Sequence, residues 1–443
     1  MSELLQEPRH FCALGAQQTV IAIERAIPIL HAGPGCSSKL SAGMAGCGGY
    51  QGTGYAGGDA IPCSNMTERD VVFGGEKRLR NLIESTLKII DGDFFVVLTG
   101  CTSDIIGDDV GSIVSDFQKQ GVPIVYAETG GFKGDAYKGH ELVLEAIINQ
   151  YLNPKVNSVK KVPKLVNIFS SVPIHDPFWE GDLKEIKRLL KSIGLNANIL
   201  FGYNSGGINA INAIPDAEFN IVISPWVGVS TAELLKKKFN TPYLHYPVLP
   251  IGGVETSKFI RKVAAFANID KKLVDEVIKR EENEYYHYLT RLADFLIESR
   301  YDLPKRFFNI NDSAYTLAIS KFLVNDLGLL PGHQFITEGV PERFKNIIKT
   351  YFKDIAPGIS SDITFCKDGG IINQKINKFN EYTTPLVLGS SWDADAASQI
   401  DGINLSVGLP ITDRVILHHN YAGYSGGLNL IEDIYSKILS RHS

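Results

Sequence analysis

The chain has 443 residues, of which 44% are hydrophobic and 21% charged, an ordinary globular composition with length for two to four domains. Its 44 basic and 49 acidic residues give a net charge of −5 without a basic block, which argues against nucleic acid or an anionic membrane as partner. The longest apolar runs are far shorter than the roughly 20 residues of a membrane span. The first residues also lack a secretory signal, so we expect a cytoplasmic protein without a transmembrane helix.

From about Glu24 onward, short β-branched or aromatic runs alternate with longer stretches of helical spacing. This alternation is typical of βα units with parallel strands. The candidate strands fall into three sets: 26–31, 94–98 and 123–127; then 165–170, 197–201 and 219–224; then 306–310, 334–337, 363–366 and 385–388. A helix with one apolar face is expected at 182–194, and the charged stretch 270–299 should form helices that lead into the third set.

Three sets of strands predict an α/β fold of three doubly wound, Rossmann-like units, each with a parallel sheet flanked by helices. The predicted domains are residues 1–155, 156–303 and 304–443. The first would bind the ligand of the cysteines described next, and the third would include the C-terminal helices. In such units, ligands sit at the carboxyl ends of the strands.

Cysteines occupy such strand ends in the first unit. Cys36 closes the loop 31–36 directly after one candidate strand, and Cys101 directly follows another. Cys12 would have to fold back from the N-terminal segment to join them. Thiolates are the usual ligands of iron–sulfur clusters, and neighbouring glycines leave backbone N–H groups free to bind sulfide. The intervals of 23 and 64 residues match no compact motif, however, so spacing alone leaves buried packing cysteines equally open.

Four segments of the sequence favour cluster ligands over packing cysteines. Residues 12–16, 31–36, 65–75 and 100–109, in this order, resemble the first domain of nitrogenase component 1 subunits. Weaker similarity continues through 224–226, 408–414 and 421–427, so the resemblance covers nearly the whole chain. It implies that Cys12, Cys36 and Cys101 are ligands of an iron–sulfur cluster, and that the chain is part of an oxidoreductase.

The resemblance also indicates the type of subunit. In the catalytic α subunits of this family, a cysteine in the second domain and a histidine near the C-terminus hold the substrate-reducing cofactor. The aligned positions here are Ala232 and Ala422, so both ligands are absent, and residues 64–68 resemble β subunits. A β-type subunit would contribute its three thiolates as half of the ligands of an interface P-cluster, [8Fe-7S]; a [4Fe-4S] cluster is the alternative.

The implied partners are an α-type subunit, in an α2β2 heterotetramer, and a separate dimeric iron protein that hydrolyses ATP and delivers electrons. This chain has no Gly-x-x-x-x-Gly-Lys-Ser/Thr motif and should not hydrolyse ATP itself. It would relay electrons to a cofactor in the α-type subunit, for nitrogen fixation or for nitrogenase-like reduction of another small molecule. Two alternatives remain: a scaffold subunit for cofactor assembly, which retention of all three cysteines disfavours, and a subunit of a tetrapyrrole reductase.

Asp135 departs from the family pattern. It aligns with a position where β subunits often carry a serine that can bind the oxidised P-cluster. A carboxylate could replace that ligand, because hard oxygen ligands suit oxidised iron. The other interpretation is a solvated loop aspartate.

The sequence gives weaker indications of function for the remaining cysteines and for two histidines. Cys47 and Cys63 flank the glycine-rich stretch 46–58 and are either inert thiols, ligands of a different cluster or the lining of a channel. Cys366 should be a packing residue at the end of a strand. His418 and His419 follow a strand-like run at 414–417 and are expected to pack or to support other residues.

Overall fold

The computed structural model describes residues 7–51, 61–154, 159–298, 303–378 and 384–440. The first unit has a parallel sheet in the order β1-β2-β3, formed by Ala26–His31, Phe94–Thr99 and Ile124–Ala127. Its helices are α1 Ala16–Ile21, α2 Pro34–Cys47, α3 Glu68–Phe73, α4 Glu76–Ile89, α5 Cys101–Ile106, α6 Val110–Lys119 and α7 Ala136–Ala146.

The second sheet is also parallel and has the order β5-β4-β6-β7. Its strands are β4 Val162–Phe169, β5 Asn196–Asn198, β6 Ala217–Ile223 and β7 Tyr243–Tyr246. Its helices are α8 Trp179–Ser192, α9 Ile208–Ala213, α10 Val229–Phe239, α11 Gly252–Phe266, α12 Lys271–Thr290 and α13 Ala293–Glu298.

The third sheet has the order β11-β10-β8-β12-β13, with β9 also paired to β8. Its strands are β8 Arg306–Asn311, β9 Leu330–Pro331, β10 Gln334–Ile336, β11 Ile363–Phe365, β12 Leu386–Gly389 and β13 Ile403–Ser406. Its helices are α14 Ser313–Asn325, α15 Glu342–Lys353, α16 Gly369–Ile376, α17 Ala394–Gln399 and α18 Gly423–Ser440. The first strand, β8, lies in the middle and the chain winds outward in both directions, as in a doubly wound sheet.

The central strands β1, β2 and β12 are buried on both faces, as expected for parallel sheets covered by helices. In β1, Ala26 and Leu30 face a large hydrophobic cluster, whereas Ile27 and Ile29 face a smaller one under α4 and α6. The large cluster includes residues of all three sheets, so the units share one continuous core. The α/β fold with parallel sheets and flanking helices is therefore confirmed.

Most predicted elements are present with shifts of a few residues, including the helix at 182–194, which is α8, and the helices at 270–299. The strand-like run at 414–417 forms no strand: Arg414 and Leu417 are bends, and the Ile416 N–H donates to the Gly49 carbonyl oxygen at 2.8 Å. The domain division at 155/156 and 303/304 stays a prediction, and its first boundary lies outside the described residues. Among those residues, no helix is long and apolar enough to cross a membrane.

Candidate functional site

Two of the three predicted cluster cysteines leave the same edge of the first sheet. Cys36 is the third residue of α2, which follows β1, and Cys101 is the first residue of α5, directly after β2. β1 and β2 are parallel neighbours with His31 opposite Thr99, so both loops start at the carboxyl edge. This is the edge at which the sequence places the site.

Cys12 reaches this edge by pairing with the loop that follows β3. Its backbone forms an antiparallel bridge with Asp135. On either side, the Ala13 N–H donates to the Gly134 carbonyl oxygen and the Ala136 N–H donates to the Phe11 carbonyl oxygen, both at 2.9 Å. The N-terminal segment therefore does fold back, and this pairing fixes the position of Cys12.

Gly131 lies between two of the thiols. A methyl carbon added to it would be 3.1 Å from Cys101 Sγ and 3.4 Å from Cys12 Sγ. The Gly131 N–H donates a hydrogen bond of 3.0 Å to Cys101 Sγ. A side chain at this position would crowd both sulfurs, and the Gly131 N–H is the kind of donor that stabilises a metal-bound thiolate.

Cys12 also shares a cavity of about 630 Å³ with Cys36. The other lining residues are mainly apolar and include Phe11, Trp392 and Leu409, and a third thiol, Cys47, lines the cavity as well. Partial burial and the nearby Cys101 thiol raise the pKa of Cys12. Cys12 thus connects the three predicted ligands, since it shares Gly131 with Cys101 and the cavity with Cys36.

The three cysteines are exposed, and within the described parts of the chain no three Cys, His, Asp or Glu side chains converge on a point that could hold a single metal ion. Exposed thiols of this kind are the ligands that iron–sulfur clusters use.

A buried polar network supports the two strand-end loops. The His31 ring lies 3.0 Å from Ser64 Oγ through Nδ1 and 2.8 Å from Asp108 Oδ2 through Nε2. Ser103 Oγ donates to the His31 carbonyl oxygen at 2.7 Å. Burial lowers the pKa of His31, although Asp108 acts in the opposite direction. The sequence analysis missed this network, yet its members all lie within or beside the four resemblance segments.

Asp135 is buried and forms the N-cap of α7, where its carboxylate accepts from the Lys138 N–H. The same carboxylate accepts from the Gly339 N–H and lies 3.4 Å from Lys367 Nζ. The solvated-loop interpretation is therefore wrong. Its role as a ligand stays a prediction that requires the carboxylate to leave Gly339.

Cys63 and Cys366 lie apart from these contacts. Cys63 Sγ donates to the Ala32 carbonyl oxygen at 3.5 Å, and Cys366 Sγ donates to that of Asp368 in the third unit at the same distance. Burial raises the pKa of both Cys47 and Cys63, which disfavours their thiolate forms. The glycine-rich stretch between them is described only as far as residue 51.

Ala232 and Ala422, aligned with the cofactor ligands of α subunits, are fully buried. The Ala422 N–H donates to Asp182 Oδ1 at 2.7 Å, so its surroundings are packed. His419 lies 3.1 Å from Asp433 Oδ2, which fits the expected supporting role, and His418 lines a separate cavity in the second unit.

Comparisons with known proteins relate the whole chain to one family. Residues 12–439 match the model of the family described as nitrogenase component 1 type oxidoreductase. The nitrogenase molybdenum-iron protein beta chain of Methanococcus maripaludis is 27% identical over 467 residues, covering 97% of this chain and 93% of that protein. One subunit of the light-independent protochlorophyllide reductase of Chaetosphaeridium globosum is 27% identical over 281 residues, 60% of this chain and 53% of that protein. A solved structure of nitrogenase Cp1 at pH 6.5 superposes with a TM-score of 0.79 at 21% identity, covering 100% of this chain and 94% of that one.

Proposed function

The chain belongs to the family of nitrogenase component 1 type oxidoreductases, and from this premise we propose that it is the β-type subunit of a nitrogenase or nitrogenase-like enzyme. In this role it holds an interface iron–sulfur cluster through Cys12, Cys36 and Cys101 and relays electrons. The observation that carries the proposal is the grouping of these three exposed thiols around Gly131 and one cavity at the carboxyl edge of the first sheet. The beta-chain relatives over 97% of the chain support the subunit type.

The residues at the site suit such a cluster. A bound cluster supplies one-electron oxidation and reduction. The thiolates hold its iron, and the Gly131 N–H can stabilise negative charge on sulfur. The network of His31, Ser64 and Asp108 keeps the loops of Cys36 and Cys101 in a fixed relation. Asp135 is proposed as a further ligand when the iron is oxidised.

The surface around the thiols supports a protein partner. Phe132 beside Gly131, Ile105 on α5 and Phe73 on α3 are exposed by 62%, 74% and 81%. Exposed apolar side chains clustered on one face indicate an interaction surface. We infer that an α-type subunit covers this face, supplies the remaining cluster ligands and holds the substrate-reducing cofactor, in an α2β2 assembly. A separate iron protein would hydrolyse ATP and deliver the electrons.

A second candidate is favoured by the similarity to the protochlorophyllide reductase chain. There the chain would be the β-type subunit of a tetrapyrrole reductase with a [4Fe-4S] cluster. The two candidates differ in the number of irons at the site, so elemental analysis and Mössbauer spectra of the native complex distinguish them.

The test is the iron content of the complex purified without oxygen. We expect a partner subunit of similar size in equal amount, and iron in proportion. Cys36→Ala and Cys101→Ala should each lose most of the cluster iron, because an iron is left without its thiolate. Cys366→Ala is the matched control and should keep its iron. Full iron in Cys36→Ala, or an iron-replete monomer, would contradict the proposal.

A further inference from the structure

A cleft of about 730 Å³ opens between the second and third units. One wall is formed by α11 and by the residues that follow β7, and the other by α14 and α15. None of the cluster cysteines lines it. Its position at the carboxyl end of β7 is one where α/β units commonly bind ligands.

The cleft carries an excess of positive charge. Lys258, Arg261 and Lys262 are three and four residues apart on α11 and therefore share one face. Lys321 of α14 adds a fourth cation, against two acids, Glu255 and Asp354. The whole chain has a net charge of −5, so this local excess runs against its overall composition.

Nearby carboxylates neutralise these cations only in part. Glu255 is buried and its carboxylate accepts a hydrogen bond from the Tyr246 hydroxyl, with Lys258 Nζ at 3.9 Å. In the part of the chain that the structure describes, no carboxylate forms an ion pair with Arg261 or Lys262. Like charges spaced in this way destabilise a helix unless an anion binds between them.

Lys321 lies on the opposite wall of the cleft. Its ammonium donates to the carbonyl oxygens of Asp354 and Ile355, at 3.0 and 3.3 Å. Burial lowers its pKa, which means that its charge is poorly solvated in the free protein. An anion in the cleft would stabilise this charge.

The rest of the lining is apolar or aromatic and includes Pro247, Val248, Ala265 and the ring of Tyr351. The volume lies within the range of small-molecule sites. We propose that this cleft binds a multiply charged oxyanion carried on an aromatic or apolar body, of which a nucleoside diphosphate is the simplest example. The chain lacks a P-loop, so the inferred activity is binding without hydrolysis.

The experiment is calorimetric titration of the purified complex with ADP, and separately with inorganic pyrophosphate, at physiological salt. ADP should bind saturably and more tightly than pyrophosphate, because its base can contact the apolar lining. The double variant Arg261→Glu/Lys262→Glu should weaken ADP binding about tenfold or more through charge reversal. The matched control, Lys271→Glu/Lys272→Glu on the exposed start of α12, makes the same charge change outside the cleft.

Three results would overturn the proposal. The first is the absence of saturable ADP binding. The second is equal weakening in both double variants, which would indicate a general charge effect. The third is pyrophosphate binding as tightly as ADP, which would remove the aromatic or apolar body from the ligand. Circular dichroism on both variants confirms that folding is retained. The site is independent of the cluster, so iron content should not change.

Discussion

Gly131 is the residue at which two of the three thiols contact the same stretch of backbone. A methyl group there would lie 3.1 Å from Cys101 Sγ and 3.3 Å from Cys12 Cβ, closer than most side-chain contacts. We therefore expect Gly131→Ala to push at least one thiol out of place, at an overpacking cost of about 1–3 kcal/mol. Iron per chain in the anaerobic complex should fall to about half or less, since an iron is released when its thiolate moves.

The matched control is Gly46→Ala, in α2 and outside the lining of the cavity that Cys12 and Cys36 share. An added methyl there would meet no atom within 4 Å, so iron content should stay at the level of the unchanged protein. If Gly131→Ala also retained all its iron, Cys12 and Cys101 would not serve one cluster.

At the scale of elements, the N-terminal segment, residues 7–15, connects the third unit to the first. The Arg9 guanidinium forms a buried ion pair of 2.7 Å with Asp393 and donates to Ser390 Oγ. His10 Nε2 lies 2.9 Å from Thr337 Oγ1. The segment then pairs with the loop of Asp135, which places Cys12 at the cluster site.

Arg9→Ala should therefore disturb both stability and the site. It leaves Asp393 buried without its cation, and removing one partner of a buried pair typically costs about 3–5 kcal/mol. We expect a lower thermal unfolding temperature, faster proteolysis of the N-terminal segment and partial loss of iron. Arg343→Ala is the control, because its pair with Glu233 is exposed and should contribute less than about 1 kcal/mol. An unchanged unfolding temperature in Arg9→Ala would contradict this role.

Sequence reasoning predicted the longer strands and both strand-end cysteines, because buried parallel strands have continuous apolar runs and directly precede their ligands. It missed β7, β9 and β13: β9 has only two residues, and polar residues interrupt the apolar runs of β7 and β13. It wrongly predicted a strand at 414–417, where exposed Val415 and Leu417 flank buried Ile416 without any pairing strand. The contact of Arg9 with Asp393 spans 384 positions, and no local pattern in one sequence encodes such a pair.

At the scale of the whole molecule, three buried carboxyl groups lie where the units meet. The Tyr137 hydroxyl of the first unit donates to Asp176 of the second at 2.8 Å, and Trp226 Nε1 donates to Glu338 of the third at 3.0 Å. Burial raises the pKa of Asp176 to about 7 and that of Glu338 to about 8, and neighbouring carboxyl groups add to both shifts. Burial and Asp176 also raise the pKa of Asp312, the N-cap of α14.

These raised pKa values determine whether the stability of the folded protein rises or falls with pH. In the unfolded chain such carboxyl groups have pKa values of about 4, so between pH 4 and 8 the folded protein holds protons that the unfolded chain has lost. The stability that these protonated carboxyl groups contribute is complete below about pH 4 and is lost as the pH rises through 7 and 8. The free energy of unfolding should fall from pH 6 to pH 9.

Asp312→Asn tests this assignment. Asparagine keeps the helix cap and cannot ionise, so the loss of stability from pH 6 to pH 9 should be smaller than in the unchanged protein. The measurement is the thermal unfolding temperature at both values of pH. Asp270→Asn, at the exposed N-cap of α12, should leave the pH dependence unchanged. The same pH dependence in Asp312→Asn as in the unchanged protein would exclude these groups as its source.

The attachment of the N-terminal segment also has a consequence for biosynthesis. Arg9 leaves the ribosome 384 residues before Asp393, and at 5–20 residues per second this interval is roughly 20 to 80 s. During that time the third-unit surface that binds Arg9 does not yet exist, and only the pairing with the loop of Asp135 holds Cys12 beside Cys101. A prematurely terminated chain would lack this surface altogether. We therefore expect the proposed cluster site to reach its final geometry only when translation has run nearly to completion.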